Sequence, residues 1–518
     1  MARGAHEHET TKLTSGGRLA HAAVPIVVRS EPNGNLKPMR FVSLHHHSTF
    51  SYLDGYQLPA AHVRRAEELQ MTALTMTEHG NVDSHVKFEA ATVGTGVKPI
   101  FGCEVYTAMG KEPTQRKFHL TLIAKDAEGY ENLLKIVTQS WKDFYYEPTV
   151  TWENLCSHRQ GLFVLSGCQG SLLACATVGG KGIERADASY KRGLAVAKAF
   201  KRMFGGSYFI EVQAFPELEQ TRRFNDVAPR IARAVSARLA ATMDCHYTAL
   251  DESEVQQILH NLRPGEKRTL EEQARDWGYE VPLCPPPNDR SIYRRLRQTG
   301  LSKKEAVQAI VSTEEIAQAC NVVLPKLDMP RFPLPPGWSN AVDYWRSLLK
   351  DGWHRRRMND RPAEVREQYR LQLKHEMELI ESKQFVDYFL LVAAGVVFAK
   401  DQGVPVGPAR GSAAASVAAW LLRITEVDPL RPEFNGLLRF ERFIDVTRVD
   451  LPDIDIDLPV EARPRVRAFY ERLLGPGCVN NVGTFVQFKG KNSLDDVARV
   501  FGVPQFEVNR VKDFLIER

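Results

Sequence analysis

Residues 41–55 read FVSLHHHSTFSYLDG. Side chains alternate along an extended chain, so His45 and His47 project from one face and His46 from the other. Asp54 follows in a Leu-Asp-Gly turn. The same chemistry recurs in later apolar runs. His79 follows TALTMT (72–77), Glu104 lies in KPIFGCEVYTA (98–108), and His119 is in FHLTLIA (118–124). Cys168 follows GLFVLSG (161–167), and after SYFIEVQ (207–213) the run LAATMDCHY (239–247) carries Asp244 and His246, again two apart. Amphipathic helical stretches at 60–69, 129–139 and 189–202 separate several of these runs. Strand–helix alternation of this kind predicts an α/β fold, either a mostly parallel sheet or a barrel of βα units.

A lone His-x-His is usually incidental, and a lone Cys is more often a small core residue. Ligand-type groups at the end of nearly every strand are another matter, because α/β barrels build their sites at that edge. Mixed imidazole, carboxylate and thiolate donors suit Zn, Mn, Fe or Co better than Ca, and clustered metals suit phosphoester chemistry. His46, Cys103 and Cys245 read as structural.

The chain has 518 residues, 43% of them apolar and 25% charged, which suits several globular domains and excludes a largely disordered chain. No run of roughly 18 apolar residues indicates a membrane span, and the N-terminus lacks a signal-peptide core. Eight dispersed cysteines form no disulfide framework, so a cytoplasmic location is expected. A net charge of +5 permits nucleic-acid binding without arguing for it. Residues 1–39 read as a flexible arm. Helical patterning dominates later, from 270 to 319, from 341 to about 400 with Leu373, Met377 and Ile380 on one face, and at the C-terminus with Val511, Phe514 and Leu515 on one face. Pro-rich links interrupt it at 284–287 and 325–338. The arginine runs 294–297 and 355–357 read as solvated helix faces.

A second constellation lies further on. GPARGSAAAS (407–416) places Arg410, Gly411 and Ser412 at a turn before a helix, where backbone N–H groups can hold phosphate. In PDIDID (452–457), Asp453, Asp455 and Asp457 share one face of an expected strand. Three adjacent carboxylates repel unless a cation joins them, and hard oxygen donors open to phosphate favour Mg²⁺. The competing reading is an edge strand charged against aggregation.

LHHHSTFSYLDG, LTMTEHGNV, KPIFGCEVYTA, GLFVLSGCQG and ATMDCHY resemble the PHP (polymerase and histidinol phosphatase) domain. More narrowly, they resemble the one that begins bacterial C-family polymerases of the DNA polymerase III alpha type. The resemblance implies a PHP (β/α) barrel-like domain at 40–262, part of an α+β polymerase-beta-type palm with a helical linker region at 263–460, and the start of a helical thumb at 461–518. It carries the family's metal positions onto His45, His47, Asp54, His79, Glu104, His119, Cys168, Asp244 and His246. Two or three Zn²⁺ or Mn²⁺ ions and a 3′–5′ exonuclease are then expected. Glu78 stands where the family commonly has Asp, a position expected to support the ligands.

Residues 403–457 are similar to the family's palm, which implies that Asp453 and Asp455 hold Mg²⁺, with Asp457 beside them. Gly411 and Ser412 would seat the triphosphate, with Arg410, Arg442 and Arg448 nearby. Ala409 and Ala415 replace glycines usual in this turn, at an expected cost of ~1 kcal/mol if 409 needs φ > 0. Residues 481–502 resemble the thumb, making Lys489, Lys491 and Arg499 expected DNA-backbone contacts. The family's third aspartate, fingers and C-terminal domains are not in this sequence. Polymerisation by this chain alone is therefore not expected. The implied partners are primed DNA, deoxynucleoside triphosphates, a C-terminal polymerase half and replisome proteins, and no membrane. The alternatives are a self-contained PHP phosphoesterase or nuclease, and a non-catalytic half of a split polymerase.

Overall fold

The computed structural model describes residues 27–29, 36–38, 40–108, 110, 116–180, 182–262, 281–326, 329–434, 436–445, 447, 451–484, 488 and 490–516. The chain divides into two compact units, one of Met1–Pro325 with Phe488–Arg518 and one of Lys326–Gln487. The divisions expected at 262 and 460 therefore move. Ile292, Leu296, Ala306, Ala309 and Ile310 share one apolar core with the strands, so the first body continues to 325. Val500 clusters with Leu53 and Leu262, so the C-terminal helices group with that body too. In the expected arm, β1 (Val27–Arg29) and β2 (Leu36–Pro38) pair antiparallel.

The first unit is built on β3 (Ala73–Met76), β4 (Lys98–Ala108), β5 (Lys117–Ala124), β6 (Leu162–Leu165), β7 (Tyr208–Gln213) and β8 (Arg238–Thr242), adjacent in that order. β3–β4, β6–β7 and β7–β8 are parallel, whereas β4–β5 and β5–β6 are antiparallel. The sheet is thus mixed, with three of its five pairings parallel, and the link from β4 to β5 is too short for the crossover that a parallel pair needs there. Residues 41–47 form no regular strand. They instead bond both edges of the sheet. Thr75 N–H donates to the Ser43 carbonyl (3.1 Å) and Thr77 N–H to the His46 carbonyl (2.8 Å). On the other side His47 N–H donates to the Cys245 carbonyl (2.7 Å) and Cys245 N–H to the His45 carbonyl (3.1 Å). This segment curls the sheet shut.

Around the sheet run α1 (Pro59–Glu68), α2 (His85–Thr92), α3 (Ala127–Lys142), α4 (Trp152–Ser157), α5 (Leu172–Val178), α6 (Tyr190–Phe204), α7 (Glu219–Val235), α8 (Ser253–Asn261), α9 (Asp289–Gln298) and α10 (Lys303–Ala319). Asp126, Thr151, Ser171 and Ser189 each accept a backbone N–H at a helix start, which sets where α3 to α6 begin.

In the second unit the expected long helical region is three helices, α11 (Ala341–Arg355), α12 (Ala363–Ser382) and α13 (Val386–Asp401). The chain turns by 112° between the last two, where Gln384 adopts φ +58°. No single helix among the described residues is long and apolar enough to cross a membrane. Leu373, Met377 and Ile380 do line one face of α12, against a core that includes Trp345, Tyr369, Phe389 and Phe443. α14 (Val417–Leu421) and α15 (Arg463–Leu474) follow, then α16 (Gly490–Val500) and α17 (Gln505–Ile516) in the first unit. On α17 the apolar Val511, Phe514 and Leu515 remain at least half exposed. Arg295 and Arg356 are not solvated as expected. Arg295 bonds the Ala214 carbonyl and Glu217, and Arg356 bonds the Trp420 carbonyl and Glu426.

Candidate metal centre and nucleotide site

The ligand-type residues named from the sequence meet at one end of the barrel. Glu104 stands at the middle. Its Oε1 lies 3.3 Å from His45 Nε2, 2.9 Å from His119 Nδ1 and 3.5 Å from Cys168 Sγ. Its Oε2 lies 2.8 Å from His79 Nδ1 and 3.6 Å from His47 Nε2. Asp244 Oδ1 lies 3.4 Å from His45 Nε2, 3.5 Å from His47 Nε2 and 3.6 Å from His246 Nδ1. Asp54 completes the ring, 3.1 Å from His79 Nε2 and 3.6 Å from His246 Nε2. Asp244 adopts φ +48°, in the left-handed region that Asp tolerates better than most side chains.

The donor set has the chemistry of a metal centre. His45 Nε2, His47 Nε2, His79 Nδ1, Glu104 Oε2 and Asp244 Oδ1 are buried and satisfied by no hydrogen bond. Buried polar atoms left so are costly, and here they all point into one space. Three groups have ligand atoms within 4.8 Å of one another, namely His47 with His79 and His246, His45 with His47 and Glu104, and Glu104 with His119 and Cys168. Cations among them would satisfy the orphaned atoms, and nitrogen, carboxylate and sulfur donors together fit Zn or Mn.

The electrostatics agree. Burial opposes charge on His45, yet Asp244, Glu211 and Glu104 outweigh it and hold the imidazole well above its ordinary pKa. His79 is also buried and also raised, by Tyr106, Asp54 and Glu104. His47 goes well down, through burial and the neighbouring His79 and His246. Glu104 is held well below the carboxylate range by His119 and His45 despite its burial. The carboxylates of Glu104, Asp244 and Glu211 thus draw positive charge to the place where a cation belongs.

Sequence reading missed the residues that aim these ligands. Glu211 lies 2.8 Å from His45 Nδ1 and also accepts from Thr242, so the Nε2 of that ring faces the centre. A carboxylate in the apolar run YFIEVQ was the available signal. Glu78, expected to support the ligands, accepts from the Ser48 and Ser51 hydroxyls, and Ser51 Oγ lies 2.9 Å from His47 Nδ1. Gln213 donates to Asp244 (3.1 Å). From α8, Gln256 donates to Asp54 (3.1 Å), and His260 bonds the same oxygen, which no spacing pattern announced. His46 does turn away, to Ser43 and His62.

In the second unit Asp453, Asp455 and Asp457 are exposed, alternating with the more buried Pro452, Ile454 and Ile456. The segment is extended as expected but pairs with no strand among the described residues. Arg410 bonds Asp457 (2.9 Å) and approaches Asp455 (3.9 Å). Gly411 has φ +64°, and a Cβ there would come within 3.2 Å of Asp455 Oδ2. The phosphate-type turn and the acidic segment therefore adjoin, with Ser412 opening the turn of helix that follows. Ala409 is not in the left-handed region, so the expected strain does not arise there. Arg442 is exposed on the turn Phe440–Arg442. Arg499 bonds the Leu262 carbonyl (3.3 Å). Arg448, Lys489 and the side chain of Lys491 lie outside the described residues.

Residues 43–215 match the family model of the PHP domain, and residues 343–518 match that of the bacterial DNA polymerase III alpha NTPase domain. Among similar proteins is the DNA polymerase III subunit alpha of Treponema pallidum (strain Nichols), 32% identical over 91% of this chain and 39% of that protein. The subunit of the same name from Thermus aquaticus is 32% identical over 90% of this chain and 42% of its own length. That of Aquifex aeolicus (strain VF5) is 32% identical over 90% and 40%. The chain thus spans about two fifths of the length of the curated relatives it matches.

Proposed function

We propose that the chain, whose residues 43–215 match the PHP domain and 343–518 the bacterial DNA polymerase III alpha NTPase domain, is part of a DNA polymerase III alpha protein and acts on DNA at two sites. The barrel is a 3′–5′ exonuclease centre. The observation that carries this reading is the convergence of five buried, unsatisfied ligand atoms. His45, His47, Asp54, His79, Glu104, His119, Cys168, Asp244 and His246 would hold two or three Zn²⁺ or Mn²⁺ ions. Such ions, when bound, supply Lewis-acid activation of phosphate and water. The chain's own part is orientation. Glu211 fixes the ring of His45, Ser51 that of His47, and Gln213 the carboxylate of Asp244, so little reorganisation remains for the reaction.

The second site is the nucleotidyl-transfer site of DNA replication, where a primer 3′-hydroxyl attacks a deoxynucleoside triphosphate. Asp453 and Asp455 would hold Mg²⁺, with Asp457 beside them. Gly411 and Ser412 would seat the triphosphate with Arg410, Arg442 and Arg448. Separately, in the first unit, Lys489, Lys491 and Arg499 would contact a DNA backbone. The exposure of the aspartates, two of them already engaged by Arg410, supports a second reading for this site alone. It is completed by another polypeptide, a C-terminal polymerase half among replisome proteins.

Incubating the chain with a 5′-labelled primed template, Mn²⁺ or Zn²⁺ plus Mg²⁺, and nucleotides tests both. Primer shortening that disappears in Asp244→Asn is the expected result. Shortening that persists in that variant would overturn the assignment of the barrel centre. Efficient primer extension by the chain alone would overturn the need for a partner.

A further inference from the structure

The cavity at the barrel centre, about 340 Å³, has room for one terminal nucleotide and little of the strand behind it. Beside it lies a surface that the centre itself does not use. Residues 141–152 read WKDFYYEPTVTW. Trp141, Phe144, Tyr145, Tyr146 and Trp152 are 51%, 50%, 39%, 83% and 44% exposed. Five large aromatic rings facing solvent from so short a segment are an unusual concentration of apolar surface. Their order is fixed. Trp141 and Phe144 stack at 5.4 Å with planes 11° apart, and Tyr145 and Tyr146 meet edge-on at 4.7 Å. Tyr146, the most exposed, sits at φ +60°, a strained backbone for an aromatic residue. Lys117 bonds the Tyr145 and Glu147 carbonyls and holds the loop in place.

The segment is joined to the metal centre at Gly80, the residue after His79. The Trp141 indole N–H donates to the Gly80 carbonyl (2.8 Å), and Pro148 packs so close that a Cβ on Gly80 would lie 2.5 Å from its Cγ. Tyr106 bridges the two. Its carbonyl accepts from Val150 N–H (2.8 Å), and its ring lies 5.3 Å from that of His119 and 6.1 Å from that of His79. Phe144, Tyr145 and Trp152 line a groove of about 920 Å³.

We propose that this aromatic segment is a stacking platform for the unpaired nucleotides behind a 3′ end held at the metal centre. The inference rests on the exonuclease reading and deepens it. Nucleotide bases all present a π-face, so aromatic platforms hold single strands without regard to sequence. Among the described residues that line this groove, the charge of Lys142 is offset by Asp143 and Glu153. Lys117 is engaged with the Tyr145 and Glu147 carbonyls. Stacking rather than phosphate contact then supplies the binding, and its salt dependence is shallow.

The test measures binding of fluorescein-labelled decathymidylate to the full chain in chelator, so that nothing is cut, for the native chain and the double variant Phe144→Ala/Tyr146→Ala. Both positions are exposed, and the variant is checked by circular dichroism. Hydrolysis of bis(p-nitrophenyl) phosphate with Mn²⁺ is measured in parallel. About tenfold or more weaker binding with unchanged hydrolysis of the small ester is expected. Equal binding by the two proteins, or none by the native chain, would overturn the platform and leave the patch as a protein-docking face. Weakened binding without any ester hydrolysis by the native chain would uphold the platform and overturn the exonuclease reading.

Discussion

The two sites differ most in burial. At the barrel centre His45, His47 and Glu104 are at most 1% exposed, whereas Asp455 and Asp457 are 43% and 55% exposed. The difference decides what each site needs. A largely buried cluster of like and unlike charges has little water to relieve it; its ligands are oriented by Glu211, Ser51 and Gln213, and cations become part of its stability. An exposed aspartate row is relieved by solvent and by Arg410, and substrate or a further chain can complete it. The first is a prebuilt site and the second an open one.

The most severe way to break this contrast is Asp244→Asn. It should abolish strand shortening and lower the metal content per chain, read by plasma mass spectrometry on the dialysed protein. Unchanged metal content would mean that the barrel centre is not the preorganised site described.

A second prediction concerns the helix that follows the Gly-Ser turn of the open site. Glu376 on α12 is fully buried and accepts from the Val417 and Ala418 N–H groups (both 2.9 Å) and from the Ser416 hydroxyl (2.8 Å), tying α14 in place. Burial pushes its pKa up from 4.5 to about 7, against the pull of these donors. An acid with a higher pKa folded than unfolded binds more protons in the fold. Its contribution is therefore fullest below pH 4.5 and falls as pH rises to about 7, by roughly 3 kcal/mol. Hydrogen exchange of the Val417 and Ala418 amides, corrected for intrinsic rates, should accelerate across that window and lose the dependence in Glu376→Gln. Slower exchange at higher pH would show that the donors outweigh burial.

Glu211→Gln sharpens the comparison from the barrel side. It removes the carboxylate that orients His45, and metal affinity should drop by roughly 10–100-fold by calorimetry. An unaltered affinity would mean that the ring is held by packing alone. The smallest effect is expected at the open site. Gly411→Ala should cost about 1 kcal/mol through its positive φ and weaken binding of a fluorescent deoxynucleotide with Mg²⁺. If the native chain binds that nucleotide and the variant binds it equally, the turn is not a phosphate seat.

Much of the barrel centre was legible because its ligands obey the two-residue period of extended chain and end apolar runs. His45 with His47 and Asp244 with His246 are such pairs, and the structure brings them to one space. Glu211 obeyed the same rule but stood inside an apolar run without a second charged residue to draw attention. His260 and Gln256 lay beyond reach, since their contact with Asp54 comes from packing of α8 and not from any local repeat. The parallel character of the sheet was misjudged at β4–β5, where connection length, not strand pattern, sets direction.

Sequence alone determined which chemical groups recur, their alternation, and the pairing of a Gly-Ser turn with an acidic run, because these are properties of neighbouring residues. Only the tertiary structure decided that residues 41–47 join both edges of the sheet, that Glu104 stands among four imidazoles, and that one site is buried while the other is open. Those facts arise from contacts between residues far apart in the chain. Burial and the loss of water are collective properties, set by everything that packs around a group.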